Sequence, residues 1–154
     1  MTVALSELDL TGTFHCAAFS FKRTSRAVTK LYDLALQSVG VRSTQFAILT
    51  AVAKLQPVNI TKLGEVLILD RTTLTRSLRL AKKDGWIEVS ARSTLRQRFV
   101  TLTPKGVEAL AAVLPVWRAM QGRFVAVLGS EHWEALRKDL REIASVATGI
   151  DPKP

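Results

Sequence analysis

Cysteine, tyrosine and histidine are scarce in this chain of 154 residues, which holds one Cys, one Tyr and two His. A lone Cys16 excludes an internal disulfide framework and suits a reducing compartment. With one Cys and two His, His15 and His132 being far apart in sequence, there is no plausible zinc set, and neither histidine stands in a recognisable triad context. Gly-rich phosphate loops are absent too, with Gly64 standing alone. No metal or other cofactor is expected. Only eight Gly and five Pro are present, and long stretches free of both point to a mostly helical chain. No apolar run approaches the ~20 residues that a membrane span needs. The start, "MTVALSELDLTGTFHC", lacks the basic head and apolar block of a secretory signal. A cytoplasmic protein without a membrane partner is the expectation.

Acidic residues are in the minority. Thirteen Asp and Glu face 22 Lys and Arg, for a net charge of +9 and a pI near 10.3. Such an excess attracts polyanions, so nucleic acid or an anionic membrane surface is the first partner class to consider. The charge is also localised: residues 61–106 carry ten basic residues against four acidic ones, which leaves +3 for the rest of the chain. With 47% apolar and 23% charged residues, the composition is that of a folded domain with a real core.

Apolar residues recur every three or four positions from Phe14 to Val39, predicting a long amphipathic helix over 14–38 that Gly40 closes. Ser43 is placed to cap a second helix, "TQFAILTAVAKL", which Gln56 and Pro57 end. Thr61 opens a short helix over 61–68. Asp70 then stands at an N-cap, where its carboxylate can accept the first free N–H groups of a helix running from Arg71 to about Asp84 and stopping at Gly85. Beyond it the period drops to two. "WIEVS" and "RFVTLT" read as a hairpin whose tip, "ARSTLRQ", is polar and basic. Residues from Pro104 to Leu128 form another long helix, in which Pro115 should produce a kink. A last helix follows over 131–147.

The helix from Arg71 sets Arg71, Thr72, Thr73, Thr75, Arg76 and Arg79 on one flank and Leu74, Leu78 and Ala81 on the other. Two helices and a tight turn followed by a basic hairpin make a helix-turn-helix with a wing. Its second helix can lie in a DNA major groove with its first residues at the base edges. Arginine can bridge guanine O6 and N7, and threonine suits base edges and phosphates. At the wing, Arg92, Arg96 and Arg98 can reach phosphates or a narrow minor groove; Arg96 lies nearest the tip, and Arg98 can instead support the hairpin base. The alternative is an ordinary solvated face.

"DRTTLTRSL", "AKKDGWIEV" and "RQRFVTLTPKG" together closely resemble the MarR-type winged-helix transcription regulators, and "SRAVTKLYDLALQSVGVRSTQFAIL" is similar to the entry helices of one bacterial branch. The resemblance runs from about Cys16 to Leu128. It implies a mainly α fold with a small β-hairpin wing, a single chain over 1–154 with its DNA-binding lobe at 43–103 and helical dimerisation regions at 10–40 and 104–148. It implies further a homodimer on a palindromic operator in double-stranded DNA. By position, Arg71, Thr72, Thr73, Thr75 and Arg76 match the DNA-facing part of the recognition helix, and Arg96 matches the wing arginine. Where the family commonly has an Asp two residues before that arginine, this chain has Thr94.

Many relatives bind phenolic or other aromatic anions between the dimer helices and the lobe; Tyr32 and Phe46 are the candidates to line such an effector pocket here, and each could equally be core. Some relatives sense organic hydroperoxides through a cysteine on the first helix. Aligned through Arg26 and Tyr32, that cysteine corresponds to Ala18; Cys16 lies two residues away, ~200° round a helix. A buried or spectator thiol is the simpler reading of Cys16. A dimeric repressor released by a small aromatic anion is therefore expected, not an enzyme. A redox-responsive regulator working through Cys16, a Cys16 nucleophile, and a winged-helix protein-interaction module without DNA binding are the alternatives.

Overall fold

The computed structural model describes residues 4–92 and 97–149. Among these residues six α-helices and three short strands follow in the order α1 (Ala17–Leu36), α2 (Ser43–Leu55), β1 (Val58–Asn59), α3 (Ile60–Leu67), α4 (Arg71–Lys83), β2 (Ile87–Arg92), β3 (Gln97–Leu102), α5 (Pro104–Leu128) and α6 (Ser130–Gly149). This is the mainly helical architecture with a small sheet that the sequence predicts. The chain divides into two compact units between Val113 and Leu114.

The first unit is built round one core. Ile48, Leu49 and Val52 of α2 and Leu63 of α3 meet Leu74, Leu78 and Ala81 of α4, with Ile87 and Val100 of the sheet closing the cluster. On α4 the three buried residues fall four and three apart, one stripe of a 3.6-residue period. Burying each such side chain contributes roughly 1.5–3 kcal/mol before the entropy of ordering it.

The sheet holds one strand more than the hairpin read from sequence. β3 pairs antiparallel with β2, from Ile87 opposite Leu102 to Arg92 opposite Gln97, and on its other edge with β1 through Val58 opposite Val100. Two residues are too few to carry an alternation, so "VN" leaves no strand signal. β1 is also too short to serve all of β3. The N–H of Leu102, beyond its end, donates instead to Oε1 of Gln56 at 2.8 Å.

Several helix ends differ from the sequence reading. α1 begins at Ala17, after a separate 3-10 turn at Thr13–His15. α2 begins with Ser43 as its first helical residue, and Ser43 is not its cap. The free donors there are met from elsewhere: Ser43 N–H donates to Oδ1 of Asp33 on α1 at 2.7 Å, and Arg42 N–H to Oε1 of Gln45 at 2.9 Å. The cap of α3 is Asn59, whose Oδ1 accepts from Thr61 N–H at 2.7 Å. That helix stops at Leu67, one residue before the predicted end.

Thr103 joins the start of α5 to the turn after α4. Its hydroxyl donates to the Gly85 carbonyl at 2.6 Å and accepts from Gly106 N–H at 3.0 Å. In the second unit the continuation of α5 runs unbroken through Pro115, and Phe124 meets Trp133 edge to face at 5.6 Å between ring centres. No residue of α6 is buried, and Leu140, Ile143 and Val146 stand exposed. Among the described residues, no helix is long and apolar enough to cross a membrane.

Candidate nucleic-acid interface

Asp70 organises the start of α4. Its Oδ1 accepts the N–H groups of Thr72 and Thr73, each at 2.9 Å, and its Oδ2 accepts the Thr73 hydroxyl. Two of the helix's first free donors are thereby satisfied. The same bonds, that from the Thr73 hydroxyl foremost, hold the Asp70 carboxyl below the ordinary aspartate range. The native state thus binds this proton less readily than the unfolded chain. Its stabilisation is present above the unfolded-state pKa and is lost as pH falls through the native one. We expect the urea midpoint to drop as pH is lowered below about 4, and to drop less in the Asp70→Asn variant. Equal acid sensitivity in the two proteins would refute the cap's contribution.

The division of α4 into two flanks is geometric. Arg71, Thr72, Thr73, Thr75, Arg76 and Arg79 are all exposed, while Leu74, Leu78 and Ala81 are buried. At about 100° per residue, Thr72, Arg76, Arg79 and Lys83 fall on one stripe opposite the buried one, with Arg71, Thr75 and Lys82 beside it. Lys82 and Lys83, which the sequence offered only as part of the charge excess of residues 61–106, are exposed as well. Thr73 differs from its neighbours, because its hydroxyl proton is committed to Asp70. None of the three α4 arginines is ion-paired among the described residues. Among the described residues, this positive charge is not neutralised by an ion-paired carboxylate.

At the wing, Arg98 is exposed within β3, opposite Ala91 of β2, so it belongs to the strand and not to the tip. Arg96 and Thr94 lie outside the described residues.

On the α1 side, Tyr32 and Phe46 are both half-buried, and burial pushes the Tyr32 phenol above its ordinary range. Neither lines the open groove of about 680 Å³ that runs along α1 to the start of α2. Arg26, Lys30 and Arg42 line it together with Thr29, Asp33 and Gln37. Asp33 is already engaged with the α2 N-terminus. These lining residues carried no pattern in sequence, because a turn between two helices is what brings Arg42 to Arg26 and Lys30.

Cys16 sits immediately before α1, not on it, and is exposed. Of the buried or spectator thiol read from sequence, the buried form is corrected by this exposure. The angular argument from Ala18 lapses as well, since a residue outside the helix does not follow its 100° step.

Comparison with known proteins bears on the whole arrangement. A model described as the MarR family matches residues 41–94, from the end of the α1–α2 connection through β2. The HTH-type transcriptional regulator SarZ of Staphylococcus haemolyticus is 31% identical over 85 residues, a match spanning 54% of this chain and 58% of that protein, little more than half its length. The M. tuberculosis transcriptional regulator MosR, solved in complex with DNA, is 31% identical and superposes with a TM-score of 0.78 over 88% of this chain and 99% of that one. CouR from Rhodococcus jostii, solved bound to p-coumaroyl-CoA, shares the fold at 18% identity, with a TM-score of 0.71 over 84% of this chain and 91% of that one. With the family model matched over the lobe and 31% identity to MosR over almost the whole of that chain, this chain belongs to the MarR family.

Proposed function

We propose that this chain is a sequence-specific DNA-binding transcription regulator, acting as a homodimeric repressor of a palindromic operator. The observation that carries the reading is the α4 surface, an exposed stripe of Thr72, Arg76, Arg79 and Lys83 on a helix whose opposite side is anchored in the core. Thr72, Thr75 and Arg76 sit where base edges would be read, with Arg71 and Arg79 beside them. Lys82, Lys83 and Arg98 supply charge for the phosphates, and Arg96 is the wing residue. The likeness to MosR, solved with DNA, supports the same reading.

The dimer is supported by apolar residues that neither unit covers by itself, Phe14, Phe21 and Leu34 at and near α1 and Leu140 and Ile143 on α6. Burial against a second copy removes such surface from water. Two lobes would then meet half-sites about one helical turn apart.

Release requires a ligand that binds the DNA-incompetent arrangement better than the competent one. The groove with Arg26, Lys30 and Arg42 supports an anionic effector, which those three cations would hold, and a small aromatic acid is the class proposed. Tyr32 and Phe46 are the aromatic candidates for such an effector, although neither lines this groove.

The test is fluorescence anisotropy against duplex from immediately upstream of the protein's own gene, beside a scrambled duplex of equal length. Tight binding that prefers the upstream duplex is expected, weakening by about a hundredfold or more between about 50 and about 200 mM salt. Aromatic acids added to that complex should release it. Equal binding to both duplexes would replace the reading with a DNA-coating protein. No binding at low salt would move the function to a protein partner.

A further inference from the structure

Five described residues have positive φ, and four of them are glycines, Gly12, Gly40, Gly85 and Gly129. The fifth is Ile68, at φ 51° and ψ 46°. It lies in the turn of the helix-turn-helix, just after α3 ends. Ile68 N–H donates to the Glu65 carbonyl at 3.2 Å, and Leu69 N–H to that of Gly64 at 3.0 Å. These two bonds form a Schellman motif, in which the left-handed position is ordinarily Gly because a Cβ there crowds the backbone. A β-branched side chain is among the worst choices for it.

Packing does not account for the choice. Ile68 is 60% exposed, whereas its neighbour Leu69 packs against the core. The motif's hydrogen bonds are backbone to backbone, so glycine would make them equally well. What isoleucine adds is therefore an apolar group held outward, two residues before the Asp70 cap and beside the exposed Arg71 and Thr72.

We infer that the strained, outward Ile68 is a specificity-determining residue of the α4 interface, making an apolar contact with a thymine methyl group in the operator. The inference rests on the DNA-binding reading of α4. Among base edges in the major groove, the thymine C5-methyl is the apolar feature, and it is what an aliphatic side chain can distinguish. Local backbone strain kept at a surface position is accounted for when the side chain meets something outside the chain.

The experiment compares wild type with Ile68→Gly on the upstream duplex, made once with thymine and once with deoxyuridine in its place. On the thymine duplex the variant should bind about fivefold more weakly, the loss expected for a few buried carbons. On the uracil duplex the two proteins should bind alike. The melting temperature of Ile68→Gly should equal or exceed that of wild type, since the left-handed strain is gone. The inference is overturned if the variant matches wild type on thymine DNA, or if it loses equally on both duplexes. Wild type failing to bind the thymine duplex would remove the DNA reading itself, whereas wild type binding beside an unaffected variant removes only the role of Ile68.

Discussion

Arg76→Ala is expected to weaken binding to the upstream duplex by about 1–3 kcal/mol, roughly ten- to a hundredfold, while leaving the fold intact. The geometry of α4 sets the expectation. Arg76 stands two residues from both Leu74 and Leu78, hence about 160° from either round the helix, so it projects away from the buried stripe. It is exposed and ion-paired with nothing among the described residues, so its removal leaves no buried charge behind. A guanidinium that bridges guanine O6 and N7 should also resist replacement by lysine, which keeps the charge and loses the fork. Arg76→Lys should therefore retain binding to scrambled DNA and lose preference for the upstream duplex. Anisotropy at fixed salt, with circular dichroism melts of each variant, checks both parts. Operator affinity unchanged in Arg76→Ala would mean that α4 is not the recognition helix.

Gly106→Ala should destabilise the protein by about 3 kcal/mol or more, a loss at the upper end for one added methyl group. A Cβ at position 106 would lie 2.0 Å from the carbonyl oxygen of Trp86 and 2.9 Å from its carbonyl carbon. Both are backbone atoms, so no rotamer change can make room. The approach is held from two sides, by the Thr103 hydroxyl between Gly85 and Gly106 and by Thr103 N–H donating to Trp86 O at 3.0 Å. Relief would pull α5 from the start of β2 and break those bonds. Gly122→Ala is the control on the same helix. A Cβ there meets nothing within 4 Å, so the better helix former should stabilise by roughly 0.5–1 kcal/mol. Urea denaturation of the two variants should move in opposite directions; a Gly106→Ala protein as stable as wild type would refute the close approach.

These two residues also differ in how far they could be read without coordinates. Arg76 was legible because its position relative to Leu74 and Leu78 depends only on helical period, and because Asp70 announces where the helix starts. The hairpin was legible for the same kind of reason, a change of period between Trp86 and Leu102. Gly106 lies two residues into the helix predicted from Pro104, and nothing in the sequence shows its close approach to Trp86. The nineteen intervening residues, 87–105, had to fold before those two backbones met.

The recognition-helix candidate, its cap and its buried face were determined by the sequence alone, since each depends on residues within four positions of one another. Excess charge in residues 61–106 was likewise written in order along the chain. Everything that joined distant segments was decided by the tertiary structure. It paired β1 with β3, set Gln56 against Leu102, and brought Asp33 to the start of α2. It left Cys16 in solvent, and it drew Arg26, Lys30 and Arg42 to one groove. It also put Ile68 in a conformation that its own side chain disfavours, because the core holds Leu63 on one side of that turn and Leu74 on the other. Local propensity sets each element, but where the chain must turn to bury both leucines, the packing of the core overrides it.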